Sequence, residues 1–297
     1  MTAGPLVLAV DVGGTKMAAG LVDGGGALVD QARIPTPVGA DAEEVFEALA
    51  TVVRRVLTGA SVQPDVCGVG CGGPMAGGGK TVSPLNIPGW VDFPLTERLE
   101  GLVHLPVVVD NDAKALALGE GWVGAAVGRA DFLAMVVSTG VGGGVVLDGR
   151  LLDGAHGNAG HIGHVMVEPH GHLCPCGAYG CLEAEASGRS IEAITGRPPA
   201  EASLEWRRRA GTLVGRAIAS VANLLDLQLA VVGGSVALGF AAPFFGAAQD
   251  EIDVRARLTY SRGTRVVPAG LGPDGPLVGA AAVARRSLER DASGRSR

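Results

Sequence analysis

The first chemistry legible in this chain is that of a metal. His164, Cys174, Cys176 and Cys181 gather one imidazole and three thiols into a single glycine-rich stretch. Four such ligands close a tetrahedral zinc site and leave no position for water, so the expected ion is structural. Three free thiols in such a loop would instead be exposed to oxidation. Of the five cysteines, the other two, Cys67 and Cys71, lie in apolar, strand-like sequence. An odd count with tight spacing does not suggest a disulfide framework.

Two glycine turns are candidates for binding phosphate. One is Asp11-Val12-Gly13-Gly14-Thr15-Lys16, and the other is Ser138-Thr139-Gly140-Val141-Gly142-Gly143. Backbone N–H groups reach phosphate oxygens only where side chains do not intervene, which is why glycine suits the task. Neither string has the Walker pattern, and either one alone reads better as an ordinary glycine hairpin. Asp11 could orient a hydrated Mg²⁺ ion, and Gly233-Gly234-Ser235 adds a third glycine turn before a helix N-terminus. Together these make a specific set. Asn111-Asp112, by contrast, reads locally as a helix N-cap.

The elements that must position these residues follow an α/β pattern. Apolar runs predict strands over 5–11, 17–22, 27–34, 66–71 and 106–110, with helices over 41–57 and 112–122. The pattern then restarts, with strands over 132–138 and 144–147, a long loop over 148–183, a helix over 206–225 and a strand over 229–232. The restart suggests an internal duplication, with a boundary between residues 112 and 130. With 297 residues, 47% of them hydrophobic, two domains are expected. A net charge of −6 and dispersed basic residues argue against a nucleic-acid surface. Arg207-Arg208-Arg209 reads as a solvated helix face. No stretch is apolar enough to span a bilayer, and Met1 leads directly toward a strand, so a soluble cytoplasmic protein is expected. Residues 290–297, charged and rich in glycine and serine, are expected to fray.

The metal loop from His164 to Glu183, preceded by Asp11 to Lys16 and by Ser138 to Gly144, resembles the ROK family (repressors, open reading frames, kinases) over nearly the whole chain. The resemblance implies a duplicated actin-like (ribonuclease H-like) ATPase fold of two α/β domains with an interdomain cleft. The smaller would cover 1–115 with a returning helix over 276–290, and the larger 116–275 with the zinc loop 161–183. ROK repressors carry a DNA-binding region before the first phosphate turn; here that turn begins at Asp11, so the kinase branch is expected. A non-catalytic sugar-sensing regulator would not need both turns and Asp112.

The same resemblance implies roles by residue. Asp11, Gly13, Gly14, Thr15 and Lys16 face the phosphates of ATP with Thr139, Gly140 and Gly142, while Gly233, Gly234 and Ser235 lie against the adenosine. Asp112 is the base for the sugar hydroxyl. Asn111, Gly73, Asn86, His164 and Glu183 bind sugar, and His164 also ligates zinc. Most ROK sugar kinases have Glu-x-Gly-His where this chain reads His161-Ile162-Gly163-His164. An imidazole offers one donor and one acceptor in place of a carboxylate that accepts twice, so His161 should alter sugar choice, unless it merely packs beside the loop. The strings Ala159 to His164 and Glu168 to Gly171 are similar to members acting on N-acetylmannosamine more than to glucokinases. Expected partners are a small sugar, ATP with Mg²⁺, and a second copy of the chain, with no nucleic acid and no membrane.

Overall fold

Six consecutive buried residues make Val7–Val12 a strand covered on both faces, β1. Lys16–Val22 returns beside it as β2, and Leu28–Pro35, with one solvated face, forms the edge strand β3. Helix α1 (Ala42–Gly59) starts at a capping box: the Asp41 side chain accepts from the Glu43 and Glu44 N–H groups, and Glu44 accepts from the Asp41 N–H. Strand β4 (Val66–Cys71), the short pair β5 (Met75–Ala76) and β6 (Thr81–Val82), helix α2 (Leu95–Val103), strand β7 (Val107–Asn111) and helix α3 (Asp112–Val123) follow. The main sheet has the order β3-β2-β1-β4-β7, antiparallel through β1 and parallel from there to β7.

The arrangement is then repeated. Strands β8 (Phe132–Val137), β9 (Val141–Leu147) and β10 (Arg150–Leu151) form the antiparallel half of a second five-stranded sheet. After helices α4 (Leu182–Ala186), α5 (Gly188–Thr195) and α6 (Leu204–Leu225) come β11 (Leu229–Gly233), α7 (Ser235–Arg255) and β12 (Arg265–Pro268). Its order is β10-β9-β8-β11-β12, with β8, β11 and β12 parallel. Hairpin, then parallel strands, is the plan of both sheets. Each hairpin carries a glycine turn at its tip. Helix α8 (Gly275–Ala292) is the last element of the described chain.

The computed structural model describes residues 4–292 and 294. Two units separate by their internal contacts, one from Met1–Val123, Asp153–Ala159 and Pro273–Arg297, the other from Gly124–Leu152 and Gly160–Gly272. The first has two apolar layers, α1 on one face of its sheet and α8 on the other, where Leu277, Ala280, Ala281 and Ala284 pack on Val7, Ala9 and Val66. The second has one large core of strands, α6 and α7. Arg290 to Ala292, expected to fray, stay helical; residues 293 and 295–297 lie outside the described chain. The protein has a two-domain, duplicated actin-like fold, and none of its described helices is long and apolar enough to cross a membrane.

Candidate active site

In the first unit the strand register aligns Asp11 on β1 with Gly70 on β4 and Gly70 with Asp110 on β7. Asp11 therefore stands at the end of the parallel strands from which Asn111 and Asp112 emerge, the edge at which open α/β sheets bind ligands. Burial pushes the Asp11 carboxyl up to about 7, the Asp112 charge adds to the rise, and Lys16 and Arg33 oppose it. At the strand-to-helix junction the Asn111 Oδ1 accepts the Ala113 N–H at 3.0 Å, as does Asp112 Oδ1 at 2.8 Å. The capping read from local sequence is thus present, and it fixes the geometry of the candidate base.

A buried ion network that the sequence did not announce braces this junction. Lys114, 2% exposed, pairs with Asp110 at 2.9 Å and Asp153 at 3.2 Å, and donates to the Gly157 carbonyl at 3.0 Å. Arg286 and Arg290 on α8 also hold Asp153, at 2.8 and 3.0 Å. Burial alone would raise the Asp153 carboxyl, but the two guanidinium groups hold it well below the usual carboxylate range. Asp110 and Lys114 are four residues apart, but Asp153 and its arginine partners are far apart in sequence, so no local pattern could have revealed the network as a whole.

The first glycine turn is closed by Gly13 N–H to the Lys16 carbonyl at 3.1 Å, and Thr36 Oγ1 donates to the Gly13 carbonyl at 2.6 Å. Thr15 and Lys16 are exposed. A Cβ on Gly14 would overlap the Asn86 Cβ and crowd its carbonyl, so the turn packs closely against the loop 84–90. Trp90 anchors that loop: it is buried, stacks on Phe93 with 4.4 Å between ring centroids, and donates its indole N–H to the Ala42 carbonyl at 3.1 Å. Gly73, joined to Pro74 by a cis peptide, is partly buried at the end of β4.

In the second unit His164, Cys174, Cys176 and Cys181 converge, with all four ligand atoms within 4.8 Å of one another. Cys176 Sγ lies 3.8 Å from Cys181 Sγ, and Cys174 Sγ lies 3.6 Å from His164 Nδ1. A tetrahedron with zinc bond lengths of about 2.3 Å to sulfur and 2.0 Å to nitrogen has edges of about 3.8 and 3.5 Å. Donor set and geometry therefore fit such an ion. Glu185, wholly buried, accepts the His172 backbone N–H and pairs with His172 Nδ1 at 2.9 Å and with Arg209 at 2.5 Å. The arginine run is accordingly not all solvated. Arg207 and Arg209 are half-buried, Arg207 donates to the Ala202 carbonyl, and only Arg208 is exposed.

The second turn lies against this loop. Gly163 packs so closely on Val141 that a Cβ would overlap its carbonyl. The Val141 N–H donates to Glu183 Oε2 at 3.0 Å, the Gly188 N–H to the Ser138 carbonyl at 2.7 Å and the Arg189 N–H to the Thr139 carbonyl at 3.3 Å. Ser138 and Ser235 hydroxyls are 2.9 Å apart, so the turn meets the start of α7, where Gly234 (φ 96°) leads from β11 into the helix. No side chain caps that helix, a favourable end for an anion. Thr139, Gly140 and Gly142 are half-buried around the turn. His161 is exposed, its ring centroid 6.1 Å from that of His164.

The ROK family model matches residues 7–287. An N-acetylmannosamine kinase of Escherichia fergusonii is 39% identical over 246 residues, covering 78% of this chain and 83% of that protein. A ROK family glucokinase from Streptomyces griseus, solved with glucose and AMPPNP, superposes with a TM-score of 0.83 at 31% identity, over 95% of this chain and 99% of that one. A ROK hexokinase from Thermus thermophilus gives 0.79 at 35% identity, over 96% and 99%. With its repeated sheets, paired glycine turns and four-ligand loop, the chain belongs to the ROK family.

Proposed function

We propose that this protein is an ATP-dependent sugar kinase that phosphorylates the 6-hydroxyl of a hexose or N-acetylhexosamine, with N-acetylmannosamine as the favoured acceptor. The observation that carries the reaction class is the junction at Asn111 and Asp112, set beside buried Asp11 in the unit whose glycine turn abuts Asn86. Asp112 accepts the proton of the attacking hydroxyl as its oxygen bonds to the γ-phosphorus and the bond to the β-phosphate oxygen breaks. ADP leaves with the electron pair of that bond, and the proton rests on Asp112.

Gly73, Asn86, Asn111, His161, His164 and Glu183 bind the sugar. Gly13, Gly14, Thr15 and Lys16 hold the phosphates with Thr139, Gly140 and Gly142, and Gly233, Gly234 and Ser235 hold the adenosine. When bound, Mg²⁺ near Asp11 supplies neutralising charge to the phosphates, and zinc on His164, Cys174, Cys176 and Cys181 supplies a rigid loop. His164 offers Nδ1 to the metal side, so its other ring nitrogen carries a proton and donates to a sugar oxygen. The chain works as a homodimer.

The acceptor preference rests on His161-Ile162-Gly163-His164 and on the N-acetylmannosamine kinase relatives. Glucose is the second reading, favoured by the likeness to the S. griseus glucokinase. Coupled assays with glucose, mannose, N-acetylglucosamine and N-acetylmannosamine, first with ATP and then with polyphosphate, decide between them. A higher kcat/KM for glucose would reverse the preference, and no turnover of any sugar would reject the kinase. Asp112→Asn should lower kcat by about 10²–10⁴-fold with zinc content and sugar affinity retained; near-normal turnover would remove Asp112 from its role.

A further inference from the structure

The turn at Ser138–Val141 has one bond of its own, Ser138 N–H to the Gly140 carbonyl at 2.9 Å. Further tethers come from Ser235 at the start of α7, whose hydroxyl lies 2.9 Å from that of Ser138, and from the few residues that follow the last metal ligand. Helix α4 has Cys181 as its N-cap, Glu183 on α4 reaches the Val141 N–H, and the first residues of α5 bond the Ser138 and Thr139 carbonyls. Glu183 is itself fixed. Its carbonyl accepts the Ser187 N–H at 3.2 Å and the Ser190 hydroxyl at 2.8 Å, and the Leu182 N–H before it donates to the Val165 carbonyl at 2.9 Å. A Cβ on Gly140 would lie 3.0 Å from Glu183 Oε2, so the carboxylate sits directly under the turn.

We propose that Glu183 is a positioning residue for the nucleotide phosphates, holding the Ser138–Val141 turn against the helix that starts at the last metal ligand. The proposal rests on the kinase reading of that turn. A carboxylate so near a polyanion is unfavourable by charge alone. Its use is mechanical: a charge-assisted hydrogen bond takes up the Val141 N–H and locks the turn before nucleotide arrives. Oε2 does this work, and Oε1 is the oxygen left for a sugar hydroxyl. The two substrates thus share one side chain, and the metal loop reaches the nucleotide as well as the sugar.

The two roles predict different binding. Titration of the zinc-loaded protein with Mg²⁺ and a non-hydrolysable ATP analogue, in the absence of sugar, reads the nucleotide alone. Glu183→Ala, and Glu183→Asp, which keeps the charge but withdraws the oxygen by one methylene, should each weaken binding about tenfold. Glu183→Gln, whose amide oxygen still accepts the Val141 N–H, should stay within about threefold. Metal content and melting temperature are measured on each variant to show that the loop is intact. Unchanged or tighter nucleotide binding in the Ala and Asp variants overturns the proposal, as does a Gln variant as weak as Ala. Failure of the unaltered protein to bind the analogue would defeat the kinase reading itself.

Discussion

Asp11 illustrates how one buried carboxyl ties stability to acidity. Its pKa is raised to about 7, chiefly by burial and next by the charge of Asp112, so the folded state holds a proton that the unfolded chain releases near pH 4. Between those values the unfolded state binds fewer protons, and stability falls as pH rises from about 4 to about 7. In urea melts without divalent cation, Asp11→Asn should flatten this decline and exceed the wild type above pH 7, by about 4 kcal/mol at most. Parallel pH profiles would refute the assignment. Asp153 acts with the opposite sign: its depressed pKa adds stability above the ordinary carboxylate value, and that stability is lost in more acid solution. Such pairings join residues far apart in the chain, whereas the four metal ligands were legible because they are close in sequence and chemically distinctive.

Among the elements, the two glycine hairpins were plain in the sequence because each lies between apolar runs, and the structure adds what each one touches. Gly14 is needed for close approach to Asn86. Gly14→Ala should push that loop aside, costing about 1–3 kcal/mol by overpacking and raising the KM for sugar more than that for ATP; melts and initial rates measure both, and an unchanged sugar KM would contradict the coupling. The strands β1, β4, β8 and β11 and the helices α1, α3 and α6 follow the expected periodicity to within a few residues. Less legible were α2, which lacks a side-chain cap, and the long reach of α7, which continues past Pro243 across a kink where Ala241 has a non-helical backbone. The loop over 148–183 also hides more order than its glycines suggested, since β10, a 3₁₀ turn at Ile162–His164 and the start of α4 all fall within it.

At the scale of the whole molecule, the first unit is assembled from three separate stretches of chain. Helix α8 supplies one apolar layer, with Leu277, Ala280, Ala281 and Ala284 buried against β1 and β4, and Arg286 and Arg290 bring charge to Asp153. A chain ended after Gly272 should therefore lose the first unit and keep the second. Limited proteolysis should digest residues 4–123 and leave a metal-binding fragment of 124–272; equal protection of both parts would show that α8 is dispensable. The order of translation gives this dependence a temporal side. Every strand and helix of the second unit is translated before α8, while β1, which precedes them all, must wait for α8 before that face is covered. The nascent first sheet therefore keeps one hydrophobic face uncovered while the whole second unit is synthesised, and the half translated first is the half completed last.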